Sequence, residues 1–234
     1  MDDWIDYYDS THTIYASKLH RDVHFQVIAR DIIGYITSAD AVVLDYACGE
    51  ALSAAAVAEA CGRLILAEPA PGVRGRLIAR FAPILKIKVR SLDELRTLDE
   101  KSVDLAIMNS VAQYMTEAEL DAAFAVIKRL LKPGGRMVLG DILQPDVGMG
   151  SDVTALLKLA WTHGFFKDAL SGLMSTALSD YRQLRARVGL QRYSERDMIA
   201  KLAAAGFTAS RAHSNIGHNP WRMTFVARHA FDRP

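Results

Sequence analysis

The sequence predicts an α/β fold with a doubly wound, mostly parallel sheet, and two stretches carry that expectation. In the first, the apolar run Ala41-Val42-Val43-Leu44 ends in Asp45, and the small-residue turn Ala47-Cys48-Gly49-Glu50-Ala51 and an alanine-rich stretch follow. In the second, Leu64-Ile65-Leu66-Ala67 ends in Glu68. Two such runs separated by a helical stretch describe parallel strands joined by a crossover helix, a unit that takes a nucleotide across its carboxyl ends. The turn is built of small residues because a ligand there approaches the backbone. Glu68 stands where an acidic side chain accepts hydrogen bonds from both ribose hydroxyls.

The remaining elements follow in order. Residues 1–38 are rich in aromatics and histidines (Trp4, Tyr7, Tyr8, His12, Tyr15, His20, His24), and Val23, Val27, Ile28, Ile32 and Ile36 recur at helical spacing from about Lys18 to Ile36. Ile84 to Arg90 alternates like a strand with one wet face. In Leu130-Leu131-Lys132-Pro133-Gly134-Gly135, Pro133 stops a helix, the glycines supply positive φ, and Arg136 to Asp141 continues as a strand. Gln144 to Arg192 is too long for a plain loop and reads as two helices, Val153–Trp161 and Ala169–Arg187, around Thr162 to Phe166. Its apolar residues, Trp161, Phe165, Phe166, Leu170, Leu173 and Met174, need a cover. A last helix, Met198 to Gly206, precedes a sixth strand, and Met223 to Arg228 reads as a seventh. The polar stretch His213 to Arg222 links them, as a pocket rim or as a solvated turn.

The turn after Asp45 lacks the G-x-G-x-x-G of a dinucleotide site, and Glu50 repels a pyrophosphate. An acidic turn suits a cation, such as the sulfonium and ammonium of S-adenosylmethionine (SAM). Here the chain resembles the class I SAM-dependent methyltransferases, whose first motif reads roughly V-L-D-x-G-C-G-x-G. Val43-Leu44-Asp45 and Cys48-Gly49 match it, and Ala47 and Ala51 stand where two glycines are usual. Ser102 to Ser110 is similar to that family's fourth strand, Leu130 to Asp141 to its L-K-P-G-G turn and fifth strand, and Met198 to Phe207 to its last helix. The resemblance implies a Rossmann-like, doubly wound, seven-stranded, mostly parallel sheet with an antiparallel last strand. It also implies one domain over 1–234, with a helical cap at 1–38 and a helical lid at 144–193. For the cofactor it implies Asp45, Tyr46, Ala47, Gly49, Glu68, Pro69, Ser91, Leu92, Asp93, Asn109 and Ser110. Leu92 is expected on adenine with Ser91 or Asp93 bonding its amino group; Asp93 is equally placed to cap a short helix from Glu94.

Methyl transfer needs alignment within roughly 3–3.5 Å and exclusion of water more than it needs covalent machinery. A base matters only if the acceptor loses a proton, and the candidates are His12, His20, Tyr15, Tyr114, His163 and His218, each of which also reads as structural or substrate-lining. No H-x-x-x-H or H-E-x-x-H spacing comes with other ligands that would complete a metal site. Asn109-Ser110-Val111-Ala112 lacks the prolines of enzymes that methylate nucleobase or glutamine amines, and Gln113 and Tyr114 are expected to face the transferred methyl. The resemblance implies methyl transfer from SAM to a small, partly apolar metabolite; the alternative is a non-catalytic SAM-binding or partner-activating subunit.

Of the 234 residues 50% are hydrophobic, enough for a sizeable core. A net charge of +1 argues against a nucleic-acid binder. Cys48 and Cys61 read as free thiols of a reducing compartment, and the acidic Met1-Asp2-Asp3-Trp4 lacks the regions of a secretion signal. No apolar run reaches the roughly 18 residues that span a bilayer. These points lead to a cytoplasmic expectation. The 144–193 insert is expected as a lid over the substrate, with packing on the core, a homodimer contact and docking at a membrane surface as its other readings.

Overall fold

The computed structural model describes residues 5, 9, 15–176 and 190–230. Trp4, Tyr7, Tyr8, His12 and residues 177–187 of the expected second insert helix lie outside them. Helix α1 (Lys18–Ile33) opens on Ser17, whose hydroxyl accepts the N–H of His20. It stops three residues short of the expected Ile36, because Gly34 closes it and Tyr35 and Ile36 continue as tight turns onto Ile32 and Ile33. Strand β1 (Val42–Tyr46), helix α2 (Ala54–Glu59) and strand β2 (Arg63–Ala67) form the expected crossover unit. Helix α3 (Pro71–Phe81), strand β3 (Ile87–Arg90) and strand β4 (Val103–Asn109) follow. β3 is shorter than the alternation suggested, since Ile84 and Ile87 are held in turns on Phe81 and Ile84.

Helix α4 (Glu117–Leu130) starts with a capping box between Thr116 and Glu119 and runs directly into β5 (Leu131–Ile142). In that junction Gly134 has φ +77°, and Lys132 pairs with Asp104 at 2.7 Å. Asp104 in turn accepts the N–H of Val42 at 2.8 Å, so the turn also fixes the entry of β1. The insert folds as α5 (Met149–His163) and α6 (Phe166–Thr176), separated by Gly164 and Phe165 alone, with Gly164 left-handed at the end of α5. Helix α7 (Glu195–Ala204) leads to β6 (Phe207–Arg211) and β7 (Met223–His229).

The sheet order is β3-β2-β1-β4-β5-β7-β6, parallel except for β7, which runs antiparallel to both β5 and β6. Alternate residues of each strand feed opposite faces. Leu105 and Ile107 pack with Ala29, Ile32, Val57 and Leu77 under α1, α2 and α3, while Ala106 and Met108 pack with Phe124, Ile127 and Leu202 under α4 and α7. A separate small cluster, Val23, Leu159, Ala160, Phe165 and Ala169, fastens the insert to α1. This doubly wound arrangement leaves the carboxyl ends of the strands as the open crevice, and α1 and the insert roof it.

Candidate active site

Four strand ends lie close to level along that crevice. Tyr46 pairs with Ala67, and Asn109 with Gly140, so the next residues, Ala47, Glu68, Ser110 and Asp141, follow one another across β1, β2, β4 and β5. They border a cavity of about 660 Å³. The turn after β1 has positive φ at Ala47 (54°), Gly49 (58°) and Ala51 (41°). The two alanines thus hold the conformation that glycine supplies elsewhere, at a cost of roughly 1–2 kcal/mol each. Gly49 borders the cavity, and a Cβ built on it meets nothing within 4 Å. Its missing side chain leaves open space over the backbone, which is the cradle a ligand needs.

Glu68 is buried, and both its oxygens hold the surrounding turns. Oε2 accepts the N–H of Gly49 at 2.8 Å and Oε1 that of Ala70 at 2.9 Å. Each oxygen keeps a second acceptor direction. Arg74 clasps the carbonyls of Glu68 and Pro69 at 2.8 and 3.0 Å. Burial, and then the negative charge of Glu68, push the Asp45 carboxyl up to about 7. The Cys48 thiol is driven well above its ordinary range by burial and by the same two carboxylates, so it stays protonated and inert. A buried carboxyl raised by a neighbouring carboxylate marks a place that gains from a positive ligand. The open cradle, the acidic pair and the ribose-sized partner directions of Glu68 fit SAM.

The other end of the cavity is built from distant segments. Ser110 Oγ donates to Asp141 Oδ2 at 2.9 Å and accepts from Asn109 Nδ2 at 3.0 Å. Asp141 is held above the usual carboxylate range by burial, against the opposing pull of Arg222 and the hydroxyl of Ser110. On α5, Asp152 accepts from Arg222 and Asn219, both at 2.7 Å, which ties the insert to the β6–β7 connection. From α1, His20 stacks on Phe165 at 5.2 Å, Tyr15 meets His20 edge-on at 5.5 Å, and His24 lies 5.8 Å from His218. His20 Nδ1 accepts the N–H of Ala16 at 3.1 Å, so its proton sits on Nε2. Burial, with His218 adding to it, lowers His20 to about 4 and His24 to about 3, so both are neutral imidazoles at pH 7.

Of the residues expected at the site, Asp45, Ala47, Gly49, Glu68, Asn109, Ser110, Tyr15, His20, Tyr114 and His218 border the cavity. Tyr46, Pro69, Ser91, Leu92, Asp93 and His163 do not. Tyr46 points to the opposite face of the sheet and joins the core there. His163 is exposed at the end of α5. The short helix Asp93–Thr97 is capped by Ser91, which accepts the N–H of Glu94 at 3.2 Å, and not by Asp93. Sequence reading missed Asp141 and Asp152, while Arg222 fell within the stretch His213 to Arg222 expected as a pocket rim or a solvated turn. Asp141 carried a usable signal, an acid at the end of an apolar strand, as at Asp45 and Glu68. Asp152 carried none. In the insert, Leu156 borders the cavity, while Trp161, Phe166 and Leu170 are exposed. Among the described residues no group of side chains is set to hold a metal, and no helix is long and apolar enough to cross a membrane.

Residues 44–139 match the family model described as the methyltransferase domain. Among solved structures, DhpI in its SAH complex is 10% identical, with 98% of this chain and 97% of that chain covered and a TM-score of 0.62. The mitomycin 7-O-methyltransferase MmcR is 20% identical over 87% of this chain and 53% of its own, with a TM-score of 0.61. A complex between the Haloferax volcanii Trm112 methyltransferase activator and the putative methyltransferase supplies a third, 14% identical over 89% of this chain and 91% of that one, TM-score 0.59. At these identities the likeness is one of fold. No protein of curated function matches the chain in sequence.

Proposed function

We propose that the chain is a SAM-dependent methyltransferase, a reading supported by the methyltransferase-domain match over residues 44–139 and by the fold, and that its acceptor is a small, partly apolar metabolite. One observation supports this reading above the rest: a single cavity joins the acidic strand ends to a wall of Tyr15, Phe25, Tyr114, Leu143 and Leu156. In this reading Glu68 receives the ribose hydroxyls, and the Gly49 turn lies under the methionine portion beside Asn109 and Ser110. SAM supplies a methyl carbon already activated by its sulfonium. The chain's part is to align the acceptor and to exclude water, which accounts for most of the acceleration of an in-line displacement. We read the insert as the lid, because Leu156 faces the cavity and Phe165 is seated on His20. Its exposed Trp161 and Phe166 leave one face over for another contact.

Incubation with methyl-labelled SAM and a panel of apolar amines, phenols and acids tests the proposal, after separation of small molecules from protein and RNA. Label in the organic-extractable fraction is expected. Label confined to protein or RNA would overturn the small-metabolite reading.

A further inference from the structure

Ser110 and Asp141 adopt a backbone conformation that their side chains do not favour. Their φ angles are 59° and 60°, and the pairing of Asn109 with Gly140 sets them side by side beyond β4 and β5. At Asp141 the pairing of β5 with β7 also slips by one residue, between Leu139 and Ile142. Such a bulge re-aims a side chain, and strain of this kind persists only where the surroundings impose it. The surroundings are specific here. Asn215 Oδ1 accepts the Asp141 N–H at 3.0 Å, Ser110 Oγ donates to the carboxylate, and Asn109 orients Ser110. Asn215 on the backbone N–H, and the Asn109–Ser110 pair on the carboxylate, thus fix Asp141 on the cavity wall.

The hydrogen-bonding balance of that wall is one-sided. Asp152, the other carboxylate at this end, is already taken by Arg222 and Asn219. The buried side-chain oxygens of Asn109 and Gln113, which belong to the same wall, have no hydrogen-bond partner. Beside Asp141 the wall therefore offers acceptors, because the donors nearest it are engaged: Arg222 and Asn219 with Asp152, and the Gln113 amide with the Ser110 carbonyl. Its position is also defined. The order β2-β1-β4-β5 puts three strand spacings, about 14 Å, between the ends that carry Glu68 and Asp141. A nucleoside with its ribose on Glu68 and its chain over Gly49 delivers its reactive end toward β4 and β5.

We propose that Asp141 is the carboxylate that binds the methyl acceptor, and that the acceptor reacts through a heteroatom bearing hydrogen, an amine or a hydroxyl. This rests on the SAM reading of the cavity given above. In the transfer, the heteroatom's lone pair bonds to the methyl carbon as the carbon–sulfur bond breaks and its pair returns to sulfur. The proton lost from the heteroatom passes to Asp141. A carbon or thioether acceptor offers this carboxylate no donor.

Calorimetry with two nucleosides tests the assignment. SAH lacks the methyl group, and sinefungin carries an ammonium-bearing carbon in place of the methylated sulfonium, so it presents a donor where the methyl is delivered. Wild type is expected to bind sinefungin at least tenfold more tightly than SAH, and Asp141→Asn to erase that preference while SAH affinity stays the same. Asn tolerates the positive φ and still accepts from Ser110, and retained SAH binding reports an intact fold. An unchanged preference in Asp141→Asn would overturn the role of Asp141 and leave the SAM site standing. Failure of wild type to bind either nucleoside would overturn both. Labelled-methyl transfer to an aromatic amine against a phenol of the same ring then separates the two heteroatoms, and label found only on a carbon or thioether acceptor would contradict the proposal.

Discussion

The two ends of the cavity are made in different ways. The end at β1 and β2 comes from one short stretch, Asp45 to Ala70, in which strand ends and turn are contiguous and the Glu68 carboxylate is held by the backbone N–H groups of Gly49 and Ala70. The end at β4 and β5 draws on α1, two strand ends, the insert and the β6–β7 connection, linked through side chains such as Asp152–Arg222 and His20–Phe165. The first sets Asp45 beside Glu68, and the second sets Asp141 and Asp152 beside the neutral imidazoles of His20 and His24. In the proposed reading the cofactor, a ligand common to many enzymes, meets backbone and one acid at the first end. The portion that differs among enzymes is met by side chains on elements outside the minimal sheet, where substitution leaves the core untouched.

The contrast is broken most strongly at Gly49. Gly49→Val puts a β-branched side chain at φ +58° and directs it into the cavity, so SAH binding is expected to fall by more than a hundredfold in calorimetry. Binding within threefold of wild type would mean that the cavity's acidic end is not where the nucleoside lies.

Phe165→Ala tests the other end. Phe165 is 2% exposed and joins the cluster that fastens the insert to α1, so its truncation removes about 3 kcal/mol of local packing. Hydrogen exchange in α5 and α6 is expected to speed up while SAH affinity stays within threefold. Unchanged exchange would show that the insert is held by something other than this cluster.

A smaller effect comes from pH. The folded Asp45 carboxyl titrates near 7, well above its unfolded value near 4. Its contribution to stability is therefore full below about pH 4 and is lost as pH rises toward 7. Binding of cationic SAM favours the carboxylate and runs the other way. SAM affinity is expected to rise roughly tenfold from pH 6 to 8, the ratio given by release of one proton near pH 7. Asp45→Asn should flatten that profile, as read by calorimetry at each pH. His20 and His24, neutral throughout this range, should not contribute to it.

The difference between the two ends also decided what the sequence could tell. The crossover unit, the L-K-P-G-G turn and the seven strands were legible because strand length, apolar runs and turn residues are local signals. The strand-end acids Asp45 and Glu68 were legible for the same reason. Asp141 lay within the quoted fifth-strand motif, yet what distinguishes it, a bulge against β7 and a contact with Ser110 31 residues earlier, is tertiary. The Asp152–Arg222 pair joins residues 70 positions apart and has no sequence signature. Tyr46 was drawn into the site by the motif and sits on the far face, because successive strand residues alternate.

The most direct test of the central claim, that the cavity holds SAM with its ribose on Glu68, is calorimetric SAH binding to wild type and Glu68→Ala. Micromolar binding is expected, and Glu68→Ala should weaken it by about 2–3 kcal/mol, through loss of charge-assisted bonds to the ribose and of the clamp on the Gly49 turn. Equal affinity in the two proteins would contradict it.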